Sequence, residues 1–402
     1  MNLERIINTD IEFIDGDRGQ NYPSKSDFFE NGYCVFLNTG NITRNGFDFS
    51  KLDFITEEKD KSLRKGKVKS DDIILTTRGT VGNVALVTET IKYANMRINS
   101  GMVIIRSKKD FTPLFLNTFF RSELFKKQAL TNGSGSAQPQ LPISALKNIS
   151  IPKLDKKTQD KIASVLSTLD EKIALNNQIN VTLEQMAKTL YDYWFVQFDF
   201  PDDNGKPYKS SGGEMVYNET LKRDIPKGWD ITSLDEFAKV KKGILITEKT
   251  ANTQGKIKVV SAGVDYSYFH DKSNYPENTI TISASGANAG FINFWREPIF
   301  ACDCTTVIAD SIGKTLYVLN FLRQVQSFIY QQARGSAQPH VYPKDLEVLN
   351  LVKPCENLLK SFDEKVKDLN EKISVNLKEN QQLVELRDWL LPMLMNGQVT
   401  VQ

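Results

Sequence analysis

Five residues, GSAQP, occupy positions 135–139 and return unchanged at 335–339, and the chain around them repeats at the same offset. Sliding the 402-residue sequence by 200 positions lays Leu146 on Leu346 and Glu171-Lys172-Ile173 on Glu371-Lys372-Ile373. Asn176 falls on Asn376, Asn180 on Asn380, Leu183 on Leu383, Met186 on Leu386 and Leu190 on Leu390. A short loop recurs by chance, but a loop and a patterned segment in unbroken register do not, so the chain is a duplication. Two like halves must therefore fold from one sequence.

The shared segment is helical by period. Ile162, Leu169, Asn176, Leu183 and Leu190 are seven apart, beside a second row of Leu166, Ile173, Asn180, Ala187 and Trp194. The later copy carries Phe362, Leu369, Asn376, Leu383 and Leu390 beside Val366, Ile373 and Asn380. Two seven-spaced rows form the seam of a coiled coil, and about 40 residues at 1.5 Å rise make a strut of about 60 Å. Pro152 and Pro354 precede the helix starts, and Pro392 is expected to end or kink the second helix. Asn176, Asn180, Asn376 and Asn380 lie on the apolar seam, where an amide costs stability but fixes register and partner. Their repetition favours antiparallel pairing of the two helices through matched amides; the other reading is a tilt that turns them to water.

Upstream of each GSAQP lies a globule of different character. Strand-like runs at 72–76 (DIILT), 84–87 (VALV), 102–105 (MVII) and 279–282 (TITI) alternate with glycine turns. Residues 113–127 and 316–332 read as amphipathic helices with aromatic anchors. The two globules match loosely, with Arg78-Gly79-Thr80-Val81-Gly82-Asn83 following its strand as Ser285-Gly286-Ala287-Asn288-Ala289-Gly290 follows another. The expected organisation is a globule at 1–154, a helix at 155–198, a Gly/Pro/Ser-rich linker at 199–228, a globule at 229–354 and a helix at 355–402.

Composition excludes several classes. With 40% hydrophobic and 25% charged residues the chain is neither disordered nor membrane-spanning, and its start lacks the apolar core of a signal peptide. Four cysteines at no framework spacing point to a reduced, cytoplasmic protein. The net charge of +2 announces no nucleic-acid binder, but residues 59–69 (KDKSLRKGKVK) and 239–242 (KVKK) are locally basic. Each suits a phosphate-facing patch or an ordinary solvated loop.

Catalytic constellations are missing from the sequence. His270 and His340 have no carboxylate or cysteine spacing suggesting a triad or metal site, and Cys302 with Cys304 is a lone CxC. Pro201-Asp202 with Lys206 superficially resembles a nuclease cluster but sits in the linker. No glycine loop for a methyl donor or nucleotide is present. The expectation is a non-catalytic reader that binds no metal or cofactor.

GSAQP, ALNNQINVTLEQMAKTLYDYWF, NLKENQQLVELRDWLLPMLMNGQ, FDFPDDNGKPYKSSGG, IPKGWD, IDGDRGQNYP and LTTRGTVGNVAL together closely resemble the specificity subunit of type I restriction–modification systems, over essentially the whole chain. The resemblance implies an α/β fold: two α/β target recognition domains separated by two long antiparallel coiled-coil helices with pseudo-two-fold symmetry. It implies that each domain reads half of a split site on double-stranded DNA, and that the helices dock two DNA methyltransferase (modification) subunits. Restriction/translocase subunits join some such complexes. S-adenosylmethionine, ATP and Mg would belong to those partners, and the setting would be the bacterial or archaeal cytoplasm. The second globule opens with IPKGW (225–229) whereas the first starts abruptly at Met1, so its N-terminal edge is expected to be trimmed. The alternative is a stand-alone two-headed DNA-binding regulator without enzyme partners.

A DNA reader needs cationic and amide side chains on exposed turns. In the first globule the candidates are Arg18, Gln20, Asn21 and Tyr22 on DGDRGQNY, and Thr77, Arg78 and Thr80 on TTRGT. Arg18 and Arg78 lead, because arginine bidentate to guanine is the commonest specific contact; the alternative for each is a surface salt bridge. In the second globule Lys241, Lys242, Ser283, Ser285 and Asn288 occupy comparable turns. GSAQP recurs in diverged globules, which argues against base-specific readout. Gly135, Ser136 and Gln138, with Gly335, Ser336 and Gln338, are expected to form a structural turn bonded to backbone rather than a phosphate contact.

Overall fold

A computed structural model describes residues 3–43, 46–132, 140–333, 339–395, 398–399 and 401. The chain divides into two compact units, Met1–Asn176 with Glu379–Gln402, and Asn177–Lys378. The division cuts both long helices, Lys156–Tyr191 and Glu356–Met395, so each unit owns a segment of each.

Unit 1 is built on a four-stranded antiparallel sheet in the order Ile11–Asp15, Met102–Ser107, Ile73–Thr76, Val84–Leu86. Its central strands are continuous apolar runs because both faces are covered. Ile73, Leu75, Val103 and Ile105 join a core with the helix Pro113–Arg121, while Ile74, Met102 and Ile104 join a second core on the other face. That second face packs on a three-stranded sheet, Phe54–Ile55, Cys34–Leu37, Met96–Ile98, whose last pair is parallel. Leu3–Arg5 pairs with Ser150–Pro152 and ties the start of the unit to the foot of the long helix.

Unit 2 repeats the order and pairing of these sheets. Its four-stranded sheet runs Lys239–Lys242, Cys304–Ile308, Thr279–Ser283, Ile292–Trp295. Its three-stranded sheet runs Tyr266–His270, Ile257–Val260, Ile299–Ala301, again with a parallel last pair. Asp230–Ser233 pairs with Asn350–Lys353. The registers align the two units residue by residue. Asp15 stands opposite Val103 as Lys242 stands opposite Thr305, and Thr76 opposite Met102 as Ser283 opposite Cys304.

The long helices pack antiparallel inside each unit. In unit 1, Ile162 and Leu166 share a core with Leu391 and Leu394, and Asn176 Nδ2 donates to Asn380 Oδ1 at 2.9 Å. In unit 2, Trp194 lies 6.1 Å from Phe362 between ring centroids, and Asn376 Nδ2 donates to Asn180 Oδ1 at 2.8 Å. The four seam asparagines are buried and meet as two reciprocal amide pairs, so the tilt reading is excluded. Charges lock each globule onto its helices. Asp170 accepts from Arg387 at 2.7 Å and Arg121 at 3.3 Å in unit 1, and Arg296 bridges Glu184 at 2.8 Å and Asn370 at 3.0 Å in unit 2.

Two expectations are corrected. Pro392 does not end the second helix, which continues to Met395; Leu391 and Leu394, buried on either side, offset the hydrogen bond that proline removes. The segment at 199–228 is no loose connection. Phe200 stacks on Tyr208 and Trp229 at 4.7 and 5.0 Å, and Met215–Asn218 pairs with Arg223–Pro226 as a hairpin whose Ile225 enters the unit 2 core. No described helix is long and apolar enough to cross a membrane.

Candidate nucleic-acid interface

In unit 1 the turn after the first sheet strand is set by two constraints. A Cβ on Gly16 would meet the Asn99 carbonyl oxygen at 2.1 Å, so only glycine fits. The buried Asp17 carboxylate then accepts from the N–H groups of Gly19 and Arg64, each at 2.6 Å. Burial pushes the Asp17 carboxyl upward, but those bonds and one from Lys65 outweigh it and hold it below the usual range. On this frame Arg18 and Gln20 are exposed. Asn21 is exposed as well, its Nδ2 donating to the Ser62 carbonyl at 3.1 Å, and the half-buried Tyr22 ring sits edge-on to Phe36 at 5.7 Å.

The second turn lies at the same end of the sheet. Arg18 Nη2 donates to the Ser100 carbonyl at 3.3 Å, and the Arg78 N–H donates to the neighbouring Gly101 carbonyl at 3.1 Å. The fold thus ties both leading arginines, 60 positions apart in sequence (78 minus 18), to the adjacent Ser100 and Gly101. Arg78 and Thr80 are exposed, and Gly79 and Gly82 take φ of +69° and +95° to shape the turn. Thr77 is corrected: it is buried, and its hydroxyl donates to the Gly101 carbonyl at 3.0 Å. Arg18 also pairs with Asp15 at 3.2 Å, an exposed contact that leaves it available to a stronger anion.

Unit 2 builds the same turn with different groups. A Cβ on Gly243 would meet the Cys302 carbonyl oxygen at 2.2 Å, the counterpart of Gly16. Lys241, Lys242 and Asn288 are exposed, and Gly286 and Gly290 repeat the positive φ at +75° and +89°. Ser285 occupies the place of Arg78, and its hydroxyl donates to Asp303 at 2.6 Å. Ser283 is corrected: it does not stand on an exposed turn but is buried in the strand at the place of Thr76.

Sequence reasoning missed the residues that follow each GSAQP. Gln140 bridges Arg78, and His340 bridges Ser285. The Leu141 N–H donates to the Thr77 carbonyl at 3.0 Å, and the Val341 N–H to the Ala284 carbonyl at 2.9 Å. The change from Gln140 to His340 directly after an identical loop was the available clue. The repeat-loop residues Gly135, Ser136, Gln138, Gly335, Ser336 and Gln338 lie outside the described residues. The basic run at 59–69 is partly neutralised, with Lys59 on Asp27, Lys61 on Glu57, Lys67 on Asp60 and Arg64 on Asp17 at 3.9 Å, though the Arg64 side chain stays 77% exposed.

Among the described residues no group of three or more His, Cys, Asp or Glu is placed to hold a metal ion. Cys302 and Cys304 are buried and unbridged, and burial pushes the Cys304 thiol up to about 12, which suits packing and not nucleophilic chemistry.

The model of the type I restriction modification DNA specificity domain matches residues 10–185 and 226–378. The chain is 27% identical to the type I restriction enzyme MjaIX specificity subunit of Methanocaldococcus jannaschii, covering 87% of this chain and 82% of that protein. It is 24% identical to the HindI specificity subunit of Haemophilus influenzae, over 96% of this chain and 99% of that protein. The crystal structure of a type I restriction–modification S subunit from M. genitalium superposes with a TM-score of 0.54 at 17% identity. That likeness covers 98% of this chain and 95% of the other, and it concerns the fold.

Proposed function

The chain belongs to the type I restriction–modification DNA specificity family, and from that premise we propose that it is the non-catalytic DNA-reading subunit of such a complex. Each unit reads one half of a bipartite, asymmetric duplex site, and the paired helices set the gap between the halves. The observation that carries this reading is the pair of matched turns. One strand order presents Arg78 with Gln140 in unit 1, and Ser285 with His340 in unit 2. Conserved geometry with altered side chains is what two half-sites of different sequence require. Arg18, Gln20, Arg78 and Thr80 read or position DNA in unit 1; Lys241, Lys242, Ser285 and Asn288 do so in unit 2.

The helices dock two methyltransferase subunits. Unit 1 exposes Leu175, Leu386 and Trp389 on its helix segments, and unit 2 exposes Val181, Met186, Val375 and Leu377. Leu175 with Val375, and Met186 with Leu386, are repeat-related, which fits two copies of one partner. S-adenosylmethionine, ATP and Mg are handled by the partner subunits, and restriction/translocase subunits complete the nuclease.

Co-expression with a type I modification methyltransferase subunit tests this directly. The expected product is a stoichiometric complex with two methyltransferase chains, whose duplex affinity falls steeply with salt. A chain that purifies alone yet binds duplex sequence-specifically would make it a free-standing regulator instead.

A further inference from the structure

Unit 2 contains a cavity of about 280 Å³ at the matched turn, lined by Lys242, Ser285, Asp303, Thr305, His340 and Tyr342 among others. Three features mark it as built to hold something. Thr305 is fully buried, yet among the described residues its hydroxyl has no hydrogen-bond partner. A buried hydroxyl without a partner is costly, and packing does not demand it. Val103, of nearly the same shape, fills that register position in unit 1. Asp303, where unit 1 has Gly101, lines the cavity and accepts from Ser285, a bond that takes up one of its several lone pairs. Lys242 lines the same space, and no ion pair within 4.0 Å joins it to Asp303 among the described residues. A carboxylate acceptor and an ammonium donor thus face one cavity without satisfying each other. The rings of His340 and Tyr342, parallel to within 16° at 5.8 Å, flank it with flat aromatic surface.

We propose that this cavity is the base-reading pocket of unit 2 and that it takes a C·G pair, the cytosine amino group donating to Asp303 and the guanine accepting from Lys242. In the major groove cytosine offers an N4 amino donor that Asp or Glu accepts, and guanine offers O6 and N7 to a cation. Unit 1 has neither the carboxylate nor the lysine at these places, since Gly101 and Asp15 occupy them. The two halves therefore read different bases through one backbone. The inference rests on the reading of the chain as a DNA specificity subunit.

Duplexes bound by the full chain in complex with its methyltransferase would be selected from a randomised pool and sequenced. The wild type is expected to select a bipartite motif with one C·G position in one half that depends on this pocket. Asp303→Asn is expected to lower discrimination at that position about 5- to 100-fold and to move it toward A·T, because asparagine pairs with adenine N6 and N7. Thr305→Val, which restores the unit 1 side chain, should weaken preference there without lowering the melting temperature. Lys242→Ala, on an exposed strand position, guards against a folding failure of the others and should cost discrimination at the same pair. An unchanged motif in Asp303→Asn and Lys242→Ala, or a change confined to the half altered by Arg78→Ala, would overturn the pocket while leaving the specificity-subunit reading intact. A wild type that selects no bipartite motif would remove that reading, and the pocket with it.

Discussion

The central sheets of the two units have one strand order and two fillings. In unit 1 the strand Ile73–Thr76 is aliphatic on both faces, packed between two apolar cores. In unit 2 the corresponding Thr279–Ser283 sends Ile280 and Ile282 into the core and keeps Thr279, Thr281 and Ser283 buried on the other face. There Thr281 accepts from the Trp295 indole N–H at 2.8 Å. The contrast teaches that backbone pairing, one apolar face and two positive-φ glycines suffice to hold this turn. Everything else at the sheet's end is free to diverge, which is where a reader of two unlike half-sites needs freedom.

The largest effect should come from the aromatic lock of unit 2. Phe362 is fully buried, with centroids 5.0 Å from Phe195, and Phe362→Ala should cost about 4 kcal/mol in urea denaturation. Its repeat partner Ile162 lies in the unit 1 core, where the smaller truncation Ile162→Val should cost about 1 kcal/mol. A Phe362→Ala loss of only about 1 kcal/mol would mean that the aromatic contacts do not lock unit 2.

Next comes a buried charge cluster in unit 1. Asp60 accepts from Arg97 Nε at 2.5 Å and Lys67 Nζ at 2.7 Å. Asp60→Asn should cost about 3 kcal/mol, because it leaves the Arg97 guanidinium buried without its counter-ion. Burial pushes the Asp60 carboxyl up, but the bonds from Lys67 and Arg97 win and hold it below its ordinary value of 3.8. A depressed folded-state value means stability present above the unfolded value and lost as pH falls through the folded one. Acid unfolding below about pH 4 should therefore be blunted in Asp60→Asn relative to wild type. Parallel curves for the two proteins would show that the cluster does not set acid stability.

Arg78→Ala should weaken binding to the selected duplex by about 2 kcal/mol and relax one base position, measured by fluorescence anisotropy on single-base variants. A uniform loss on every sequence would reassign Arg78 to phosphate. The smallest effect belongs to the seam. Asn180→Ala removes the amide that accepts from Asn376 and should cost about 1 kcal/mol. Asn380→Ala should cost less, because Asn176 keeps its 2.7 Å bond to Glu379. The reverse order in thermal melts would break the account of the two amide pairs.

Much of the architecture was legible in the sequence because it is periodic. The heptads of both helices, the strands at IILT and TITIS, and the paired Arg78-Gly79 and Ser285-Gly286 turns are local patterns, and each forms where it was expected. The segment at 199–228 was misread because composition averages over its anchors. Phe200, Tyr208, Ile225 and Trp229 follow no period, and they become a core only when the hairpin folds onto unit 2. Thr77 and Ser283 were misjudged for a similar reason. A hydroxyl next to a glycine turn looks exposed in sequence, and strand pairing decides otherwise.

By itself the sequence determined the duplication, the long helices with their amide-marked seam, and the alternation of strands and turns, because spacing along a chain dictates which side chains share a face. Only tertiary structure decided which residues converge at the reading end. Arg18 and Arg78 are tied to the adjacent Ser100 and Gly101, and Asp303 joins Lys242, Thr305 and His340 around one cavity, because strands distant in sequence hydrogen-bond in a fixed register. Register is set by long-range pairing and core burial, and no window of neighbouring residues contains that information.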